Sequence, residues 1–166
     1  TRDSKADIKK FFTIDGEEYK KLEKSGKAKL LDDVKALLEK VKIFYLNQRD
    51  DLTGTAGAIY VAKDWANGEP FAVLYGDDIN YCPDGELPAI GQLAKVFEET
   101  NKMVLGCKLV EPKDVDKYGM CKTAAKINDT AYEVAGVVEK PAKGTEPSLL
   151  ASLARYIMPA NTFSYI

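Results

Sequence analysis

Helical patterns alternate with short apolar runs through the first two-thirds of the chain, and this alternation restricts the fold more than any other feature. Residues 27–42 place leucine and valine on one face at helical spacing, with charged residues on the other. The apolar run 41–47 follows as a predicted buried strand. The helix–strand pairs predicted next are 54–65 with 71–75, and 88–102 with 103–110. This order predicts an α/β fold with a doubly wound, mostly parallel, Rossmann-like sheet.

The last third of the chain has a different pattern. Residues 118–124 and 131–141 are rich in β-forming residues and flank a short turn, which predicts an antiparallel β-ribbon. A further strand is predicted at 148–158, and a helical pattern starts near Pro159. The sequence contains no repeat, low-complexity tract or linker, so residues 1–166 are predicted to form a single domain.

The composition is that of a soluble globular protein. The chain has 166 residues, of which 45% are hydrophobic and 30% are charged. Its net charge of −2 and isoelectric point near 5.3 argue against a general role on nucleic acids or membrane surfaces. No apolar run approaches the roughly 18 residues that span a bilayer. The three cysteines lack metal-type spacing and are typical of reduced thiols, so a cytoplasmic location is expected.

The sequence contains no histidine. This absence excludes Ser-His-Asp and Cys-His catalysis and histidine-ligated zinc within the chain. Catalysis by these residues would therefore depend on carboxylates, lysines, backbone N–H groups and a bound cation.

Two adjacent carboxylates follow the apolar run 71–75, which is predicted to be a strand buried on both faces. Gly76 is succeeded directly by Asp77 and Asp78. Two unpaired carboxylates at the end of a core strand repel each other and cost desolvation unless a cation meets them. A solvated turn and a metal or phosphate site are both consistent with this stretch.

Other candidate residues also lie at the ends of predicted strands, where ligands bind in open α/β sheets. Gln48 has a carboxamide that can complement the imide edge of uracil or thymine. Gly54 opens a turn of small residues before a helix, whose free N–H groups favour an anion. Glu139 can accept hydrogen bonds from sugar hydroxyls, and Lys140 can neutralise a phosphate. Each of these residues also has an ordinary explanation, as an exposed side chain, a tight turn or a surface ion pair.

Five stretches, in order and at suitable spacing, resemble the bacterial UTP–glucose-1-phosphate uridylyltransferase family of sugar-1-phosphate nucleotidyltransferases. They are KAKLLDDVKALLEK, GEPFAVLYGDDI, KYGM, VAGVVEKP and EPSLLASLARYIM. The resemblance implies a nucleotide-diphospho-sugar transferase fold, Mg²⁺ as cofactor, and UTP and glucose 1-phosphate as partners. The implied reaction is attack by the sugar phosphate on the α-phosphorus of UTP, with pyrophosphate leaving. Positioning and charge neutralisation supply most of the rate of such a reaction, which suits a chain without histidine.

The resemblance also implies roles for individual residues. Binding of the uracil base is assigned to Gln48 and Gly54, the magnesium ion to Asp77, the sugar to Gly119 and Glu139, and the sugar phosphate to Lys140. Asp77 and Lys140 therefore carry the catalytic roles.

The sequence departs from the family pattern in several places. The family's G-x-G-H-A turn is GTAGA at 54–58, and one extra residue separates Gln48 from Gly54. The family's S-N-x-A strand is SLLA at 148–151. The glycine-rich triphosphate loop, a late carboxylate and the C-terminal helices have no counterpart here. The chain is therefore interpreted as the central portion of a catalytic domain, inactive alone, with an uncovered sheet edge that favours a homo-oligomer.

Three alternatives remain open on the sequence. Gln48 suits thymine as well as uracil, so the transferred group could be thymidylyl, or another nucleotide. The changes at Ala56, Gly57 and Leu149 favour a non-catalytic regulatory module with the same fold. A receiver-type signalling domain would need its acidic pair after the first strand, an order that this chain does not have.

Overall fold

The computed structural model describes residues 4–12 and 17–166. The chain divides into two compact units, Thr1–Asn47 and Gln48–Ile166. The single-domain assignment stays a prediction, and each unit is described by itself.

The described part of the first unit is helical. Its helices are α1 (Ser4–Phe11), α2 (Glu17–Lys24) and α3 (Ala28–Lys40). Helix α3 confirms the helix predicted from the spacing of leucine and valine, and it ends where Val41 turns to an extended conformation.

The strand predicted at 41–47 is wrong. These residues form no helix and pair with no described strand, and Phe44 is 54% exposed. An apolar run becomes a strand only when a neighbouring strand satisfies its N–H and C=O groups, and the local sequence does not reveal whether that neighbour exists.

The second unit contains most of the predicted elements. Its helices are α4 (Gly54–Tyr60), α5 (Lys63–Ala66) and α6 (Ala89–Thr100), and 3₁₀ turns lie at Pro112–Lys117 and Ala160–Ser164. Its strands are β1 (Phe71–Leu74), β2 (Val104–Leu109), β3 (Gly119–Lys126), β4 (Tyr132–Glu139) and β5 (Leu150–Met158). The left-handed Asn67 ends α5, which confirms the predicted Asn-Gly stop. The predicted antiparallel ribbon is β3 with β4.

Strand β5 organises the sheet. Its residue Ile157 lies between Ala72 of β1 and Val104 of β2, so these two strands flank β5 on opposite sides. The β3–β4 ribbon joins β5 where Met120 pairs with Ala151. Every pairing among the described strands is antiparallel, so the predicted mostly parallel sheet is corrected. Strands β1 and β2 do run in the same direction, but β5 is inserted between them, and no local pattern in the sequence reports that insertion.

The packed interior of the second unit lies where β3, β5 and the turn at Pro112–Lys117 meet. Val115, Met120 and Ala151 have no exposed surface there. Strand β1 instead alternates between half-buried and exposed residues, and Leu74 is 53% exposed. The prediction that this strand is buried on both faces is therefore wrong, because one of its faces is open. In the described part of the chain, no helix has both the length and the apolar character needed to cross a membrane.

Candidate active site

The two adjacent carboxylates in the loop after β1 differ in burial and in hydrogen bonding. The Tyr75 N–H donates to the Ala154 carbonyl at 3.1 Å, which extends the pairing of β1 with β5 by one residue. Asp78 is half-buried, and its Oδ2 accepts the Ala154 N–H at 3.0 Å. Asp77 is exposed and makes no hydrogen bond or ion pair with another residue of the described chain. The carboxylate of Asp78 is therefore bound to the fold, whereas that of Asp77 is available to a ligand.

A cleft of about 760 Å³ opens beside this loop, and it brings three of the predicted site residues together. Asp77, Gly119 and Glu139 all line it. These residues come from the end of β1, the start of β3 and the end of β4. The predicted residues Gln48, Gly54 and Lys140 do not line the cleft.

Gly119 and Glu139 form a close cradle at one wall of the cleft. They are paired across the ribbon, and a Cβ added to Gly119 would lie 2.9 Å from both Glu139 Oε2 and Val137 Cγ1. A contact of that length forces something to move. The absence of a side chain at residue 119 thus lets the carboxylate of Glu139 lie over the backbone.

We expect the substitution Gly119→Ala to displace the exposed side chains of Glu139 and Val137 and to lower stability by up to about 1 kcal/mol, at the low end of the cost of overpacking. Gly136→Ala on the neighbouring strand is the matched control, because nothing lies within 4 Å of its added Cβ. Thermal unfolding of both variants measures the effect. An unfolding midpoint for Gly119→Ala equal to that of the control would show that the cradle is looser than described.

Lys140 follows Glu139 at a backbone turn. It has a left-handed φ of 45°, and its N–H donates to the Tyr118 carbonyl at 3.0 Å. Its Nζ lies 3.9 Å from Glu139 Oε1, and the two side chains are 62% and 72% exposed. An ion pair this exposed contributes little to stability, so both charged groups are available to a ligand.

Gln48 and Gly54 belong to a loop that closes on itself. The Gln48 Nε2 donates to the carbonyls of Leu52 at 2.6 Å and Gly54 at 2.9 Å. Gly54 has a φ of +73°, and a Cβ on Gly57 would lie 2.3 Å from the Leu52 carbonyl oxygen. Only the carboxamide oxygen of Gln48 is left for another partner. The loop is compact because Gly57 occupies a position that a side chain could not share.

The cleft also has residues that the sequence interpretation did not single out. Tyr75 and Tyr156 lie with ring centroids 5.9 Å apart, and burial raises the pKa of Tyr156, opposed by its hydrogen bond with Ser152. The Lys108 ammonium lies 5.5 Å from the centroid of the Tyr118 ring. Lys108 lies in β2 and Tyr156 in β5, whereas Tyr75 follows β1 and Tyr118 precedes β3, so they line one cleft only after the strands pair. The sequence of β5 has no clear alternation of buried and exposed residues that would have indicated Tyr156.

The donor atoms in the cleft fit a hard divalent cation that is shared with a substrate. No group of three or more His, Cys, Asp or Glu residues able to hold a metal occurs in the described ranges 4–12 and 17–166. Asp77 offers free carboxylate oxygens, whereas those of Asp78 are already engaged. Mg²⁺ is commonly bound by one or two carboxylates together with phosphates and water. The cleft thus suits a substrate-bridged metal better than a closed protein cage.

The described chain combines helices with a five-stranded sheet, and the cleft lies beyond the carboxyl end of β1, where ligands bind in many α/β proteins. The model of the nucleotidyl transferase family matches residues 6–166, and the chain belongs to this family.

Relatives of known name and structure agree with this membership. The chain is 42% identical over 145 residues to a UTP–glucose-1-phosphate uridylyltransferase of Staphylococcus epidermidis. The aligned region is 87% of this chain and 49% of that relative. It resembles UTP-bound UGPase from Acinetobacter baumannii, with a TM-score of 0.78, 27% identity, and coverage of 96% of this chain and 56% of the other. UDP-glucose pyrophosphorylase complexed with UDP-glucose gives a TM-score of 0.75, 27% identity, and coverage of 84% and 52%. The chain thus spans about half the length of these proteins, and the predicted nucleotidyltransferase fold is confirmed.

Proposed function

We propose that this chain supplies the sugar-phosphate and metal side of an enzyme that transfers a uridylyl group from UTP to glucose 1-phosphate, giving UDP-glucose and pyrophosphate. The observation that carries the proposal is the convergence of Asp77, Gly119 and Glu139 on one cleft. The names of the relatives, and the UTP and UDP-glucose in two similar structures, support the choice of substrates.

In the proposed mechanism, the chain positions two anions that would otherwise repel each other. Lys140 holds the phosphate of glucose 1-phosphate, and Glu139 accepts hydrogen bonds from the sugar hydroxyls beside Gly119. The phosphate oxygen then attacks the α-phosphorus in line, and pyrophosphate leaves. Nucleotidyl transfer generally uses a divalent metal, and we propose Mg²⁺, held by Asp77 and the nucleotide phosphates, where it would neutralise charge.

A second candidate function is a non-catalytic module with the same fold. The observation in its favour is the Gln48 loop, where both donor hydrogens of the carboxamide are directed at the loop's own carbonyls. Uracil recognition through that carboxamide would require the loop to open or the base to use the remaining oxygen.

Nucleotide binding to the chain separates these functions. Isothermal titration with UTP, dTTP, CTP and ATP, each with Mg²⁺, is expected to give the tightest binding for UTP. Equal binding of UTP and dTTP would favour the thymidylyl alternative. Because this chain contains no glycine-rich loop for the β- and γ-phosphates, the same titration is repeated on the chimera specified below. Binding of none of the four nucleotides and no UDP-glucose by either protein would contradict uridylyl transfer and favour the non-catalytic module.

The substitution Lys140→Ala is expected to weaken use of glucose 1-phosphate much more than use of UTP. Its attraction to one phosphate charge at about 4 Å lies between about 1 and 4 kcal/mol, depending on solvent exposure. The KM for glucose 1-phosphate should therefore rise about tenfold or more. The assay needs a complete catalytic domain, so we specify a chimera in which this chain replaces the matched region of the S. epidermidis relative.

Lys143→Ala is the matched control, because this lysine pairs with Asp116 at 3.4 Å and is similarly exposed. The control should leave both KM values within about twofold of the parent chimera, as surface substitutions usually do. An equal rise for UTP and glucose 1-phosphate in Lys140→Ala would place this lysine elsewhere in the site.

A further inference from the structure

Arg155 is a charged residue within an otherwise apolar strand, β5, and its guanidinium reaches the loop that follows β1. Its Nη1 donates to the carbonyls of Tyr75 at 3.0 Å and Ala154 at 2.8 Å. Its Nη2 donates to the carbonyl of Asp78. A fixed planar fork of donors is suited to holding several carbonyls at once. The arginine thus ties two residues of the loop to β5.

The carboxylate of Asp78 also ties this loop to β5. Its Oδ2 accepts the Ala154 N–H at 3.0 Å, and its Oδ1 accepts the Asn80 Nδ2–H at 3.2 Å. Both oxygens of this carboxylate are therefore engaged. Each oxygen keeps a second lone pair, but a cation would compete with these two bonds for the charge of the carboxylate, so Asp78 is a poorer metal ligand than Asp77.

These bonds bracket Asp77 in the sequence. They hold the carbonyl of Tyr75 on one side, and both the carbonyl and the carboxylate of Asp78 on the other. Asp77 itself is exposed toward the cleft and makes no bond with the rest of the described chain. Its location thus depends on its neighbours rather than on contacts of its own.

We propose that Arg155 and Asp78 are positioning residues that fix the carboxylate of Asp77 at the rim of the cleft, so that it can ligate a divalent cation shared with the nucleotide. This inference rests on the proposed function, since it assigns the adjacent carboxylates to separate tasks within that site. Residues that orient a metal ligand typically change metal affinity by about 10–100-fold when replaced.

The test uses the chimera specified above, with Mn²⁺ as the probe and electron paramagnetic resonance as the readout. Because UTP itself binds Mn²⁺, a Mn²⁺–UTP solution without protein is the reference, and only the additional binding is assigned to the protein. The variants are Arg155→Met, Arg155→Lys, Asp78→Ala and Asp77→Asn, and Lys126→Met is the exposed cationic control at the far end of β3. We expect Arg155→Met and Asp78→Ala to lower Mn²⁺ affinity about tenfold or more, toward the level of Asp77→Asn. Arg155→Lys should recover part of the loss, and the control should bind as wild type.

Two additional readouts separate positioning from general structural damage. The affinity for UTP without metal should change little in a positioning variant, even where the thermal midpoint falls because bonds between the loop and β5 are lost. General structural damage would instead lower the affinity for UTP together with that for Mn²⁺. Amide hydrogen exchange should accelerate in residues 76–80 and stay unchanged in the β3–β4 ribbon. If Arg155→Met does not fold, Asp78→Ala, which keeps the arginine, decides the question by the same measurements.

Failure of the proposed function and failure of this inference give different results. If the parent chimera binds no more Mn²⁺ than UTP does without protein, the metal role of Asp77 fails, and exchange in residues 76–80 alone decides whether Arg155 and Asp78 fix the loop. If wild type binds Mn²⁺ and Asp77→Asn does not, but Arg155→Met and Asp78→Ala retain full affinity, the positioning role is overturned. Unchanged loop exchange in both positioning variants would overturn it as well.

Discussion

Replacement of Asp77 by asparagine is expected to abolish metal-dependent uridylyl transfer in the chimera while leaving the fold intact. The carboxylate is exposed and makes no bond with another described residue, so its removal takes no contact from the fold. The substitution would, however, remove the proposed protein ligand of the metal that neutralises the phosphates. Losing one preorganised electrostatic group commonly costs about 10²–10³ in rate, and we expect at least that loss.

The measurement is pyrophosphate release at saturating UTP and glucose 1-phosphate over a series of Mg²⁺ concentrations, with circular dichroism as the check on folding. Asp84→Asn, at another exposed loop carboxylate, is the matched control and should keep full activity. Turnover by Asp77→Asn within a few-fold of the parent would show that Asp77 is not the metal ligand. Since the carboxylate of Asp78 is engaged by Ala154 and Asn80, the metal would then be held by groups outside this loop.

The chain alone is expected to release no detectable pyrophosphate from UTP, glucose 1-phosphate and Mg²⁺. Among its described residues, only the carboxylate of Asp77 is proposed as a metal ligand in the cleft, and its sequence contains no glycine-rich loop for the β- and γ-phosphates. If the loss of one preorganised donor costs about 10²–10³ in rate, the loss of a whole phosphate loop puts turnover below detection.

The same chain is expected to associate with itself. Apolar residues at 43–46 are partly exposed, as Phe44 at 54% and Tyr45 at 44% illustrate, and exposed apolar surface favours contact between copies. Light scattering on the sample used for the assay gives the mass. Clear turnover by a monodisperse monomer would contradict both expectations.

The elements that the sequence predicted correctly are those set by local spacing. Helix α3 follows from leucine and valine on one face, and the β3–β4 ribbon from two β-forming segments around a turn. The strand at 41–47 and the mostly parallel sheet were wrong because both depend on partners distant in the sequence. Strand β5 lies between β1 and β2 although it follows them by many residues.

The candidate site could be predicted only in part, because it too depends on residues that are distant in the sequence. Asp77, Gly119 and Glu139 were indicated by their positions at strand ends or by the family resemblance, and they line one cleft. Arg155 was overlooked, although a single arginine in an apolar strand is a signal that a polar group must meet it there. What it meets is the backbone of a loop some 80 positions earlier in the chain, which periodicity alone does not reveal.

We propose that this chain supplies the metal and sugar-phosphate residues of a uridylyl transfer site. The most direct test is the rate at which the folded chimera forms UDP-glucose, compared with the same chimera carrying Asp77→Asn and with dTTP in place of UTP. We expect UDP-glucose formation to exceed dTDP-glucose formation and to require Asp77. A folded chimera that makes no UDP-glucose, or one whose rate is indifferent to Asp77, would contradict the claim.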